Sequence, residues 1–228
     1  MFASPAPLPA RPELNQDLVA RVRPLAAASS RRLPLLSALH PLLGDGIQRG
    51  SSTVVVAPRG GGGSTLGLTL LTAASSAGHW CGVVGLYDPG VMAMADLGVD
   101  LRRVVFVAAE GGRSIEVAGE LTDGVDLVLL ALRSPAPYAA ARQLLARIRD
   151  RRAALVVVTT AERHWPIGGD VELRVSGSTW VGPEDGHGCL TGRRATVLVG
   201  GRRMGGTPRR HTLWLPTAEG EIALMEGA

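Results

Sequence analysis

The residues of this chain best suited to chemistry form a glycine-rich segment at 57–66. It reads Ala-Pro-Arg-Gly-Gly-Gly-Gly-Ser-Thr-Leu and follows Val54-Val55-Val56, so we predict a strand, a glycine loop and the start of a helix. Backbone N–H groups in such a loop, at a helix N-terminus, attract anions without any side chain. The candidate phosphate loop consists of Arg59, Gly60, Gly61, Gly62, Gly63, Ser64 and Thr65.

Two positions depart from the phosphate-binding pattern G-x-x-x-x-G-K-[ST]: Ala57 stands for the first glycine and Gly63 for the lysine. That lysine offsets charge on the β- and γ-phosphates during phosphoryl transfer, and the chain contains no lysine at all. We therefore interpret the loop as vestigial. Two alternatives remain open: a structural turn with a helix cap by Ser64 or Thr65, or residual nucleotide binding assisted by Arg59.

A second group of candidate residues is basic and lies near the C-terminus. Three Arg-Arg pairs precede a tryptophan in a segment rich in glycine turns, where we predict antiparallel strands. Converging on one edge, they would present a positive patch to a protein partner or to DNA phosphates. The alternative is a solvated hairpin whose arginines discourage edge aggregation. The candidate contact residues are Arg193, Arg194, Arg202, Arg203, Arg209, Arg210 and Trp214.

The composition limits which kind of core, partner and cellular compartment this chain can have. The 228 residues carry a formal charge of +4, and 46% of them are hydrophobic but only 4% aromatic, so the core must be aliphatic. The mildly basic balance suits nucleic acid or an acidic partner. Cys81 and Cys189 lie far apart and match no metal-ligand spacing, so we expect no metal site and a reduced compartment. Neither a signal peptide nor a membrane-spanning run is visible, so we expect a cytoplasmic protein with no membrane contact.

Short β-branched runs alternate with helix-length segments through the middle of the chain. This alternation predicts an α/β fold with a mainly parallel twisted sheet flanked by helices. We predict strands at 53–57, 82–87, 103–107, 125–131 and 154–159 and helices at 64–77, 89–97, 113–122 and 136–150.

The predicted organisation has three parts. Residues 1–50 form an N-terminal arm and helices, including a helix from 13 to about 28 with an apolar stripe. Residues 51–216 form the core. Its last part, about 168–216, supplies antiparallel strands that extend the sheet, and residues 217–228 form a tail. The antiparallel strands are predicted at 170–180, 194–199 and 211–215.

Several segments resemble the RecA-type P-loop ATPase core, and specifically its degenerate relatives in bacterial mutagenesis cassettes, the ImuA/ImuA′ proteins. Pro58, four small residues and Ser64-Thr65-Leu66 are similar to the family's G-P-E-S-S-G-K-T-T-L. Asp88-Pro89 with Leu97-Gly98-Val99-Asp100-Leu101 resembles D-P-x-Y-A-x-x-L-G-V-D-L. Gly124-Val125-Asp126-Leu127-Val128-Leu129 resembles the V-D-L-V-V-V-D strand. The resemblance covers about residues 45–215 and implies a RecA-like core.

The departures from that family fall at its catalytic positions. Ala131-Leu132-Arg133 stands where the family has the metal-holding aspartate, and Gly85-Leu86-Tyr87 lacks the glutamate that activates water. Thr159-Thr160 replaces the Asn-Gln pair that senses the γ-phosphate. Because lysine, metal ligand and general base are missing together, we predict no enzymatic activity, no catalytic residue and no cofactor.

The resemblance implies a non-catalytic accessory protein of a translesion DNA synthesis complex, acting in SOS mutagenesis after DNA damage. Its partners would be an ImuB-like Y-family polymerase relative, an error-prone replicative-type polymerase and the RecA filament. One alternative is a RecA paralogue that binds single-stranded DNA. Two further alternatives are an ATPase with a rewired site that uses Arg59, and a cell-division inhibitor of the SulA type.

Overall fold

The fold was determined as a computed structural model, which describes residues 31–109, 112–161, 164–182 and 187–225. The predicted helix from 13 to about 28 lies outside the described residues. The described part of the chain begins with a two-stranded antiparallel sheet of β1 (Arg32–Leu33) and β2 (Ile47–Gln48), with a short helix α1 (His40–Leu43) between them. Leu33, Leu39 and Leu42 are fully buried, so this small unit packs on the core.

Within the described residues, the main sheet has nine strands. They are β3 (Ser52–Val56), β4 (Cys81–Val84), β5 (Val104–Val107), β6 (Leu127–Ala131), β7 (Ala154–Thr159), β8 (Val171–Val181), β9 (Gly192–Gly200), β10 (Arg209–Trp214) and β11 (Ala223–Leu224). Their order across the sheet is β11-β10-β9-β8-β3-β7-β6-β4-β5. The parallel part forms from valine- and leucine-rich runs that are buried on both faces, as expected for a sheet covered by helices.

Helices cover both faces of this sheet. Helix α2 (Gly63–Ser76) packs on one face, where Leu66 and Leu70 belong to the same buried apolar cluster as Val156 of β7. Helices α4 (Ser114–Leu121) and α5 (Tyr138–Arg151) pack on the other face, where Leu144 and Ile148 belong to a second apolar cluster. The short helix α3 (Val91–Asp96) lies between β4 and β5. The predicted α/β class, with helices flanking a mostly parallel sheet, is confirmed.

The C-terminal strands extend the sheet as predicted, with one difference. Strand β8 pairs parallel with β3 and antiparallel with β9, so the antiparallel part of the sheet starts one strand later than the sequence suggested. Strand β10 then pairs antiparallel with β9, and β11, within the predicted tail, pairs with the end of β10. None of the helices in the described part of the chain has the length and apolar composition needed to cross a bilayer.

Candidate functional site

A cleft of about 420 Å³ opens at the carboxyl ends of β3, β4, β6 and β7. This is the edge at which open α/β sheets bind their ligands. The glycine loop forms its floor, and the short segments that follow the other strands form its walls. The residues that line it are Ala57, Pro58, Arg59, Gly60, Gly62, Gly63, Ser64, Thr65, Gly85, Leu86, Tyr87, Ala131, Leu132, Arg133, Val158, Thr159, Thr160 and Arg193.

The glycine loop takes a conformation that only glycine adopts without strain. Gly60 and Gly62 have φ values of +72° and +94°, in the left-handed region that side chains disfavour. Gly62 is the N-cap of α2, and no side chain caps the helix there. The predicted cap by Ser64 or Thr65 is therefore wrong.

The two departures from the phosphate-loop pattern fit each other sterically. A Cβ atom at Gly63 would lie 2.8 Å from the Cβ of Ala57, which is well inside normal contact. A side chain at 63 thus requires Ala57 to move, so Gly63 and Ala57 are coupled. A lysine introduced at position 63 would therefore also require a change at position 57.

Arg193 of β9 reaches into the cleft from the C-terminal part of the sheet. Its Nη2 donates to the Thr65 hydroxyl at 2.9 Å, and its Nη1 lies 3.5 Å from the Gly60 carbonyl. Its Nε donates to the Leu215 carbonyl at 2.9 Å. The guanidinium stacks on Trp180, 4.8 Å from the ring centroid, and fills the space beside Gly62, where a Cβ would meet it at 2.7 Å.

Arg193 is only 5% exposed, and burial lowers the pKa of its guanidinium. Among the described residues, no carboxylate forms an ion pair with it. A buried cation without a counter-ion is costly, so this position favours an anion. The sequence contains a signal for this placement: Arg193 shares strand parity with Ala195, Val197 and Val199, which face the core.

Two further arginines line the cleft from the exposed side. Arg59 follows the loop proline, and Arg133 stacks on Tyr87 at 4.3 Å from the ring centroid. No carboxylate is found among the described residues that line the cleft; Glu110 and Glu162 lie outside the described residues. The Thr160 hydroxyl oxygen is buried and has no hydrogen-bond partner within the described chain.

The structure separates the six arginines that the sequence grouped into one patch. Arg202 and Arg203 lie beyond β9 and approach Asp170, with nitrogen–oxygen distances of 3.2 and 3.6 Å. Burial raises the pKa of Asp170, but the hydrogen bond from the Ser52 amide and the two arginines outweigh it and hold that pKa below its usual value. These two arginines therefore attach the β9–β10 turn to Asp170, which directly precedes β8.

The remaining predicted contact residues lie on β9 and β10. Arg194 and Trp214 are directly opposite in the strand register, and the guanidinium lies 5.9 Å from the indole centroid. Arg210 shares strand parity with Trp214, so it lies on the same face of the sheet, whereas Arg209 lies on the other. Arg194, Arg209 and Arg210 are exposed. We call Arg194, Arg210 and Trp214 the outer face of the C-terminal sheet.

Asp126 and Asp100, two aspartates in the segments that resemble the RecA-type core, stabilise the fold and do not line the cleft. Asp126, at the start of β6, accepts from Arg49 at 2.8 Å and from the Trp80 amide at 3.2 Å. Asp100 accepts from the Arg102 amide and so caps the short helix at Leu101–Arg103. Within the described ranges, no three His, Cys, Asp or Glu side chains are grouped for metal binding.

These features define an α/β protein with a glycine-loop cleft at the carboxyl edge of a mixed sheet. Residues 41–166, more than half of the chain, match the family described as the MT3502 N-terminal domain, and the chain belongs to this family. A stretch of 97 residues is 35% identical to a Mycobacterium tuberculosis (strain ATCC 25618 / H37Rv) protein described as uncharacterized protein Rv3395c. That match covers 42% of this chain and 48% of the relative, so the chain spans about half the length of the curated relative that it matches.

Proposed function

We propose that this chain is a non-catalytic RecA-like accessory protein of a translesion DNA synthesis complex, related to the ImuA/ImuA′ proteins. It would bridge an ImuB-like Y-family polymerase relative to an error-prone replicative-type polymerase and to the RecA filament. The observation that carries the non-catalytic part is the chemistry of the cleft. Its described lining has three arginines and no carboxylate.

Nucleotide hydrolysis requires a positioned metal ion and a base that orients water, and both functions normally use carboxylates. In this cleft β6 ends in Ala131, and Leu132 and Arg133 follow it, while Leu86 and Tyr87 follow β4. Each missing group is worth about 10²-fold or more in rate. Two observations support the non-catalytic proposal: the cleft lies at the edge where open α/β sheets bind ligands, and its described lining offers no carboxylate as metal ligand or base.

The first test measures phosphate release from magnesium ATP by the purified protein. We expect release at the background rate, because the described cleft lining has no carboxylate to hold a metal ion or to act as a base. The control is Arg59→Ala, which should leave this background unchanged. Turnover by the wild-type protein that Arg59→Ala abolishes would contradict the proposal and identify an ATPase with a rewired site.

The outer face of the C-terminal sheet is the surface that we assign to the partner. Arg194 is exposed beside Trp214, and Arg210 is exposed on the same face further along β10. None of the ion pairs within the described ranges involves either arginine. Arg202 and Arg203 are less suitable test positions, because glutamates there would face Asp170 and would also weaken the fold. The charge and exposure of the outer face suit an acidic protein surface.

The second test is a pull-down with the ImuB-like polymerase relative. We expect Arg194→Glu with Arg210→Glu to abolish the interaction while leaving urea unfolding nearly unchanged, since both side chains are exposed. The matched control is Arg142→Glu with Arg152→Glu, which makes the same charge change at exposed positions on and just after α5. Retained binding by the first variant would overturn the surface assignment. Single-strand DNA affinity that falls steeply with salt and is lost in that variant would favour the DNA-binding alternative.

A further inference from the structure

The start of α2 has backbone N–H groups without partners. Every helix leaves its first N–H groups without an intrahelical acceptor, and caps, water or ligands normally satisfy them. Within the described residues, no carbonyl or side-chain oxygen accepts from the amides of Gly62, Gly63, Ser64 or Thr65. Gly62 and Gly63 are also buried. Four amides at a positive helix terminus thus face the cleft.

Arg193 adds a second, independent feature that points to an anion. Its guanidinium lies against this loop at Thr65 and Gly60, and it is nine-tenths or more buried. Within the described residues, its hydrogen bonds go to the Leu215 carbonyl, the Gly60 carbonyl and the Thr65 hydroxyl, all of which are neutral. A cation that is out of water and has only neutral partners attracts an anion more strongly than an exposed arginine does.

The remaining polar groups of the cleft also favour an anionic ligand. Arg59 and Arg133 add positive charge at its mouth, and the buried Thr160 hydroxyl is available to donate. The described lining provides no carboxylate to hold Mg²⁺. A ligand with several negative charges and no bound metal therefore fits these groups better than a magnesium complex does.

We propose that the cleft binds a metal-free polyphosphate chain, either inorganic or that of a nucleotide, through the loop amides and Arg193. In this proposal Arg193, which lies on β9, supplies the positive charge of the lysine that the loop lacks. The binding involves neither a metal ion nor hydrolysis. This inference rests on the proposed non-catalytic function and names the ligand of the same cleft. Since Arg193 lies outside the family match at 41–166, the ligand also joins the C-terminal strands to the loop.

Calorimetric titration with tripolyphosphate and with ATP, each in EDTA and in excess Mg²⁺, tests this inference. We expect binding in EDTA and at least tenfold weaker binding in Mg²⁺. The metal ion neutralises the phosphates, and no carboxylate of the described cleft lining is available to coordinate it. Equal affinities for the two ligands would identify the phosphate chain as the recognised group. Tighter binding of ATP would add a contribution from the nucleoside.

Two neighbouring arginines provide the matched variants. Arg193→Met should weaken tripolyphosphate at least tenfold and remove the ligand-induced rise in Tm. Without ligand it should unfold at a lower temperature than the wild type, because the carbonyls of Leu215 and Gly60 and the hydroxyl of Thr65 lose their buried donor. Arg194→Met, one residue away and exposed, should bind like the wild type. Should Arg193→Met fail to fold, Arg193→Lys keeps the charge but loses the planar fork, and we expect intermediate affinity.

The outcomes distinguish this inference from the proposed function. No binding of either ligand at millimolar concentration in EDTA, or equal binding by wild type and Arg193→Met, overturns the inference and leaves the non-catalytic proposal intact. Phosphate release in the magnesium arm overturns the non-catalytic proposal. Binding in EDTA without phosphate release in magnesium supports both.

Discussion

Replacing Asp126 with alanine should lower the free energy of unfolding by about 3–5 kcal/mol, because the change removes one partner of a largely buried ion pair. The side chains of Arg49 and Asp126 are 8% and 20% exposed, with nitrogen and oxygen 2.8 Å apart. The same carboxylate lies 3.5 Å from His79 Nδ1 and accepts from the Trp80 amide at 3.2 Å. Urea denaturation, with the m-value checked for constancy, measures the loss.

Asp123→Ala is the control for this prediction, three residues earlier in the same segment. Asp123 also pairs with two arginines, Arg147 and Arg151, each at 2.9 Å, but its side chain is 38% exposed. Exposed ion pairs contribute about 0–1 kcal/mol, so we expect a loss below about 1 kcal/mol. Similar losses for the two variants would mean that Asp126 contributes no more than a surface charge does.

The second large effect is expected at Gly85, where β4 ends beside the cleft. Its φ is +76°, and a Cβ there would lie 2.6 Å from the backbone oxygen of Ala131 on β6. The left-handed conformation costs a side chain about 1–2 kcal/mol. The steric conflict should add about 1–3 kcal/mol, as overpacking does in cores, because neither strand can shift alone. Gly85→Ala should therefore destabilise the protein by about 2–5 kcal/mol in urea unfolding.

Gly78→Ala separates the two contributions. Gly78 also has a left-handed φ, +87°, but a Cβ there would meet nothing within 4 Å. We expect this variant to lose only the conformational part, about 1–2 kcal/mol. If Gly85→Ala were no more destabilised than Gly78→Ala, the close approach of β4 to β6 would not constrain position 85.

Much of the parallel sheet was predictable because its signal is local. Strands buried on both faces require unbroken apolar runs, and 154–159 shows such a run and matches β7. The predicted strand at 82–87 ends early, at Val84, because Gly85 turns the chain into the left-handed region. The parallel pairing of β8 with β3 was not predictable, because that pairing depends on contacts between distant residues rather than on either strand's own pattern.

The candidate site was predicted in part for the same reason. A glycine loop between a strand and a helix is a local pattern, and it forms the floor of the cleft. The sequence alone groups Arg193 with surface arginines, because two consecutive arginines usually indicate a solvent-exposed segment. Because side chains alternate along a strand, one arginine of such a pair points toward the core, and in β9 this is Arg193. The contact of Arg193 with Thr65 depends on the pairing of β9 with β8, which the sequence alone does not show. The Arg202 and Arg203 contacts to Asp170 likewise depend on tertiary structure.

The central position of β3 has a consequence for synthesis on the ribosome. Strand β3 ends at Val56, yet its two neighbours are β7, which begins at Ala154, and β8, which begins at Val171. Because translation proceeds at roughly 5–20 residues per second, the ribosome needs on the order of 10 s after β3 to complete both of its neighbours. During that interval its Val54-Val55-Val56 run has both edges unpaired, a state that invites association with other chains. We expect nascent chains that stop between β3 and β8 to depend on chaperones far more than the finished protein does.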